Sequence, residues 1–126
     1  MYYGSEWGIE GDKKDGDYCL RPQIESPSWN GLSDLISLLS KIRGKSKSLT
    51  HGAYQQLYLT NSQFVFERSL ESERIIAAVN ISPDEHMAYF NAKANCGNDE
   101  LTGKKVNFRD GLHMKAYSAM IISNHE

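Results

Sequence analysis

From Leu49 onward, apolar and aromatic residues come in short runs broken by turn formers, and no other feature of the chain constrains its fold as much. The runs cover residues 54–59, 64–68, 75–81, 87–90, 106–108 and 112–122. Asn61-Ser62, residues 71–73, Pro83-Asp84, Gly97-Asn98, Thr102-Gly103 and Asp110-Gly111 punctuate them. Gln63-Phe64-Val65-Phe66-Glu67-Arg68 alternates with a period of two, which sends successive side chains to opposite faces of a strand. Residues 113–121 alternate likewise, with Met114, Ala116, Ser118 and Met120 on one face. Ile75-Ile76-Ala77-Ala78-Val79 is nearly continuous apolar, as a central strand covered on both faces requires. Short strands with frequent turns predict an antiparallel β-sandwich. Tyr54, Tyr58, Phe64, Phe66 and Tyr89 fall on alternating strand positions and are expected in its core.

Before residue 48 the pattern is different. Residues 1–31 carry Gly4, Gly8, Gly11, Gly16, Pro22, Pro27, Asn30 and Gly31 with no helical or strand period, so loop is expected. About thirty residues of loop are unusual in a compact domain unless the loop is functional or belongs to a larger structure. Leu32, Leu35, Ile36, Leu39 and Ile42 then recur on a 3.6-residue period and predict one amphipathic helix. Asn30 or Ser28 stands where a cap is needed, Lys41 and Arg43 suit the C-terminal dipole, and Gly44 is expected to end the helix. The expected organisation is a loop-and-helix segment, 1–48, followed by a β-domain, 49–126.

Net charge is −2 with both signs interspersed, so no electrostatic footprint for nucleic acid or an anionic membrane is present. No apolar run reaches the length of a membrane span. The start Met1-Tyr2-Tyr3-Gly4 shows no secretory leader, and the expectation is a cytoplasmic protein. Cys19 and Cys96 match no metal or redox spacing, and His51, His86, His113 and His125 lack mutual ligand spacing and are expected at the surface. Neither a metal nor a cofactor is expected. Gly97 and Gly103-Lys104 depart from a phosphate loop, because the glycines are one residue too far apart and Lys105 replaces the Ser or Thr that would ligate magnesium. A hairpin turn is the better reading. Asn80-Ile81-Ser82 forms a glycosylation sequon inside an apolar run, where it is accidental. Asp84, Glu85, Asp99 and Asp110 fall at turns and are expected to be solvated, as are Asp12, Asp15 and Asp17 in the loop.

Tyr2-Tyr3-Gly4-Ser5-Glu6-Trp7-Gly8-Ile9-Glu10-Gly11 resembles the segment that closes the catalytic (β/α)8 barrel of α-amylase-superfamily glycoside hydrolases, which reads Tyr-Tyr-Gly-x-Glu-x-Gly. The resemblance extends through Leu20-Arg21-Pro22 and the predicted helix, which looks like the eighth barrel helix. It continues through Leu49-Thr50-His51-Gly52-Ala53-Tyr54, Phe64-Val65-Phe66-Glu67-Arg68, Ile75-Ile76-Ala77-Ala78-Val79-Asn80, Leu101-Thr102-Gly103-Lys104 and the closing strand from Met114. The nearest subgroup is that of the neopullulanases and cyclomaltodextrinases.

The resemblance implies the end of a catalytic barrel plus a C-terminal β-domain, belonging to a retaining enzyme that acts on α-glucans. It implies Glu6, Trp7 and Arg21 as substrate-loop residues: Glu6 fixing the loop near the cleft, Arg21 reaching a sugar hydroxyl or a carboxylate. Trp7, Trp29 and Tyr18 are of the kind that stacks on sugar rings, or else packs inside the barrel. It implies no catalytic residue in this chain, because the family's acids come from the fourth, fifth and seventh barrel strands and nothing here matches their motifs. The expected partner is the remaining barrel. Two other roles stay open: an independent maltodextrin-binding module, and a homodimer formed through the helix stripe.

Overall fold

The computed structural model describes residues 4–125, and its contacts divide the chain into two units, Met1–Lys41 and Ile42–Glu126. In the first unit the described part of the glycine-rich stretch contains 3-10 turns at Ser5–Trp7, Lys13–Asp15 and Asp17–Leu20, before helix α1 (Gly31–Lys45). Asn30 caps α1: its Oδ1 accepts from the backbone N–H of Leu32 at 2.9 Å and of Ser33 at 3.2 Å.

Gly44 does not end the helix. The turn carries through it to Lys45, and the N–H of Ser46 still donates to the Ile42 carbonyl at 3.2 Å. The break comes at Ser46, whose backbone is extended (φ −95°, ψ 117°) and whose Oγ caps a short helix α2 (Lys47–His51) by accepting from Leu49 N at 3.1 Å. A side chain that can restart a helix ends the first one where a glycine does not. Along α1, Leu32, Leu35, Leu38 and Leu39 are exposed and only Ser33 is buried. No helix among the described residues is long and apolar enough to cross a membrane.

The second unit is the antiparallel sandwich. Strands β1 (Ala53–Leu59), β2 (Gln63–Leu70), β3 (Glu73–Asn80), β4 (His86–Ala88), β5 (Cys96–Asp99), β6 (Lys105–Asn107), β7 (Leu112–Met114) and β8 (Ser118–His125) follow in order. Six of them form one sheet in the order β1-β2-β3-β8-β5-β6, and β4 pairs with β7 in a second. Val65, Ile76, Ala78, Ala88, Phe108, Leu112, Met114 and Ile122 fill the space between the sheets. β3, in the middle of the larger sheet, is buried from Arg74 to Ala78 and opens to solvent at Val79.

Three features differ from expectation. First, the alternation in β2 is present but Val65, Gln63 and Glu67 point inward, while Phe64 and Phe66 lie on the opposite face, half-buried. Tyr54 and Tyr89, expected in the core, are 55% and 69% exposed. Inward polar groups are tolerated because each has a partner: Glu67 binds Arg74, and Gln63 binds Asn80. Tyr58 does reach the core side, because a register shift between Gln56 and Tyr58 turns it round, and its hydroxyl meets His86 Nε2 at 2.8 Å. His86 is therefore half-buried rather than on the surface.

Second, the final run is two strands in different sheets. Tyr117, at φ 46°, turns the chain between them, and its N–H donates to the Ser82 carbonyl at 3.0 Å. Third, Gly97-Asn98 lies in a strand, β5, paired with β8 and β6. A Cβ on Gly97 would stand 2.5 Å from the Ser123 carbonyl oxygen, so glycine lets the two strands approach. Asp99, at the end of β5, is buried rather than solvated: it accepts from Thr102 Oγ1 at 2.7 Å and from the backbone N–H of Ile121 at 3.1 Å. These bonds hold the hairpin whose tip is Gly103, in the left-handed region at φ 70°.

Candidate functional site

Of the residues singled out by the sequence, Glu6, Trp7 and Trp29 gather at the N-terminus of α1. Gly4 and Gly8 bound the turn Ser5–Trp7 with φ of 85° and 68°, a region that favours glycine. The turn presents two carbonyls to the helix start. Ser33 Oγ donates to the Glu6 carbonyl at 2.6 Å, and Asn30 Nδ2 donates to the Trp7 carbonyl at 2.9 Å. Glu6 and Trp7 are thus held by their backbone, with both side chains half-buried.

Trp7 meets Trp29 in a T-shaped contact, with ring centroids 5.9 Å apart and planes at 65°. The indole N–H of Trp29 donates to Asp34 Oδ1 at 2.7 Å. Tyr18, in the turn Asp17–Leu20, is 92% exposed. Arg21 follows that turn, exposed, with no side-chain partner among the described residues. A hollow of about 170 Å³ opens in this unit beside Ser5, Ile9, Glu10 and Cys19, and none of Glu6, Trp7 and Arg21 lines it. The structure therefore joins Glu6 and Trp7 in one turn and leaves Arg21 on a separate part of the loop. Tyr2 and Tyr3, which head the motif, lie outside the described residues.

Most carboxylates with identifiable contacts have structural work. Glu67 is engaged by Arg74, Asp99 by its hairpin, Asp34 by Trp29, Asp12 by the N–H of Lys14, and Glu85 by His113 at 3.0 Å on the surface. No three His, Cys, Asp or Glu residues among those described converge as metal ligands would. In the β-domain, a groove of about 210 Å³ is lined by Gln55, Leu57, Glu67, Asn91, Ala92 and Lys93. Asn80, the sequon residue, is 1% exposed and fully engaged, so its amide is not presented to solvent.

A long loop and an amphipathic helix leading into an antiparallel β-sandwich define a class with solved counterparts. The cyclomaltodextrin glucanotransferase CldA superposes with a TM-score of 0.80 at 19% identity, over 100% of this chain and 29% of that one. An Anoxybacillus α-amylase superposes at 0.82 with 24% identity, over 99% of this chain and 28% of that one. An α-amylase from Geobacillus thermoleovorans, solved with acarbose, gives 0.82 at 18% identity, over 100% of this chain and 29% of that one. No protein-family model and no curated protein sequence matches the chain. The chain has the fold of one part of these α-amylase and glucanotransferase enzymes, the resemblance read from its sequence, and spans less than a third of each.

Proposed function

We propose that this chain is the non-catalytic C-terminal segment of an α-amylase-type glycoside hydrolase acting on α-glucans: the last βα unit of the catalytic barrel and the β-domain that stabilises it. The observation that carries this reading is that the chain superposes from end to end on enzymes of that type while covering under a third of their length. The exposed leucines of α1 support it, because an apolar stripe of this kind needs a neighbour and the adjoining barrel elements supply one. Within that class, the neopullulanase and cyclomaltodextrinase subgroup is the one the sequence resemblance favours.

The chemistry supports the non-catalytic role. Retaining glycosidases set two carboxyl groups about 5–5.5 Å apart across the scissile bond. In a barrel enzyme, residues from several different strands converge at the C-terminal face to build that pair. On this reading the chain supplies one βα loop to such a face, and Glu6 sits in its half-buried turn.

Incubation with maltodextrin, pullulan or cyclodextrin is expected to release no reducing sugar, and clear turnover would sink the reading. The coding sequence immediately upstream is expected to encode the rest of a barrel with the catalytic acids. An independent α-glucan-binding module is the second reading, favoured by the exposure of Tyr54 and Tyr89. Calorimetric binding of maltoheptaose that Tyr54→Ala and Tyr89→Ala remove would select it. Dimerisation through the α1 stripe is decided by light scattering.

A further inference from the structure

The junction before α1 is closed in an uncommon way. Asn30 is the cap, so Trp29 is the residue before the cap and Asp34 is the fourth helical residue. In a hydrophobic staple these two positions carry apolar side chains that pack on one another. Here the second position is an acid, which takes the indole N–H at 2.7 Å and anchors the ring by its edge. Trp7 meets the ring at 65°, and the Trp7 turn is itself tied down by Asn30 and Ser33. The indole is thus oriented by contacts within its own segment, and yet Trp29 as a whole remains 62% exposed.

We propose that Trp29 is a stacking platform for one glucosyl unit of an α-glucan. The proposal rests on reading the chain as the last βα unit of a barrel. In such a unit the residues just before the helix N-terminus belong to the βα loop, on the face where substrates of barrel enzymes bind. The flat indole matches the apolar C–H face of a pyranose. A ring already fixed by Asp34 and Trp7 loses little freedom when a ligand lands on it, which is what makes a rigid aromatic an effective anchor.

Trp7 and Trp29 are the two tryptophans of the chain, so its indole fluorescence reports on this pair alone. Maltoheptaose titrated into the full chain is expected to shift the emission and to protect it from acrylamide, saturating only above about 1 mM as befits a single platform. In Trp7→Phe, where Trp29 is the sole indole, the protection should persist. In Trp29→Ala it should vanish, with the far-UV spectrum showing that α1 is intact. Trp29→Phe, which keeps a ring but loses the bond to Asp34, should bind several-fold more weakly. Cellohexaose should protect far less, and equal protection would overturn the α-linked assignment. Unchanged emission at saturating maltoheptaose, or undiminished protection in Trp29→Ala, overturns the platform. The upstream coding sequence separates the two failures. Without a barrel there, the proposed function falls whatever Trp29 does; with a barrel there and no protection, the platform alone falls.

Discussion

Arg74 donates from Nη1 to Glu67 Oε1 at 3.0 Å inside the β-sandwich, and the two side chains are only 10% and 6% exposed. They lie diagonally across β2 and β3, where Glu67 faces Ile76 and Arg74 faces Ser69. The guanidinium is not fully engaged, since its Nε has no partner among the described residues. Removing one member of such a pair strands a buried charge, at a cost of about 3–5 kcal/mol, whereas replacing both with apolar residues is often neutral. Glu67→Gln and Arg74→Met are each expected to lower stability by about 3 kcal/mol in urea unfolding. Glu67→Leu combined with Arg74→Met should recover most of that loss. A double variant that loses the sum of the two would contradict the pairing.

Asn80 joins three segments at once. It accepts from Gln63 Nε2 at 2.8 Å and Ser82 N at 3.0 Å, and donates to the carbonyls of Asp84 and Lys115, each at 2.9 Å. Asn80→Ala leaves several buried groups unpaired and is expected to cost about 3 kcal/mol. Asn80→Asp should be worse, because a carboxylate would confront two carbonyl oxygens that now receive N–H groups. Thermal unfolding checks the order; a higher Tm for the aspartate than for the alanine variant would refute it.

Gly97→Ala tests the approach of β5 to β8. With its Cβ 2.5 Å from the Ser123 oxygen, backbone rather than a flexible side chain must move. Amide exchange is expected to quicken at Asp99 and at Glu100, whose N–H donates to the Ile121 carbonyl at 2.7 Å, with protection in β1 to β3 unchanged. Gly103→Ala, at the hairpin tip in open space, should cost only about 1 kcal/mol for its left-handed backbone. Equal effects from the two substitutions would show that crowding is not the reason for Gly97.

Asn30 has separable duties. Asn30→Ala removes the cap and is expected to cost about 1 kcal/mol. Asn30→Asp keeps the acceptor for Leu32 and Ser33 but loses the donor to the Trp7 carbonyl. Circular dichroism should therefore show α1 preserved in the aspartate variant while tryptophan emission shifts as the Trp7 turn loosens. A shift confined to the alanine variant would sink this division of roles.

Much of the candidate site was legible. Gly4 and Gly8 mark the turn that holds Glu6 and Trp7, and Asn30 stands one position before α1 begins, because turns and caps depend on residues close in sequence. The bond between Trp29 and Asp34 is also local, but the pattern that relates those two positions is ordinarily read from apolar residues. Arg21 acquires no partner among the described residues, and its place in the motif alone distinguishes it.

The β-domain shows the division most clearly. Local period and turn chemistry determined helix α1 and strands β1 to β3, since hydrogen bonding and side-chain alternation repeat over a few residues. Which face turns inward was not local, because a strand of period two has two equivalent faces until a second strand chooses between them. Arg74 and Asn80 on β3 made Glu67 and Gln63 of β2 burial-competent and left Phe64 and Phe66 outward. The break at Tyr117 and the strand at Gly97 are decided by bonds to Ser82 and close packing on Ser123, partners distant in the chain. Only the folded sheets bring those groups within reach.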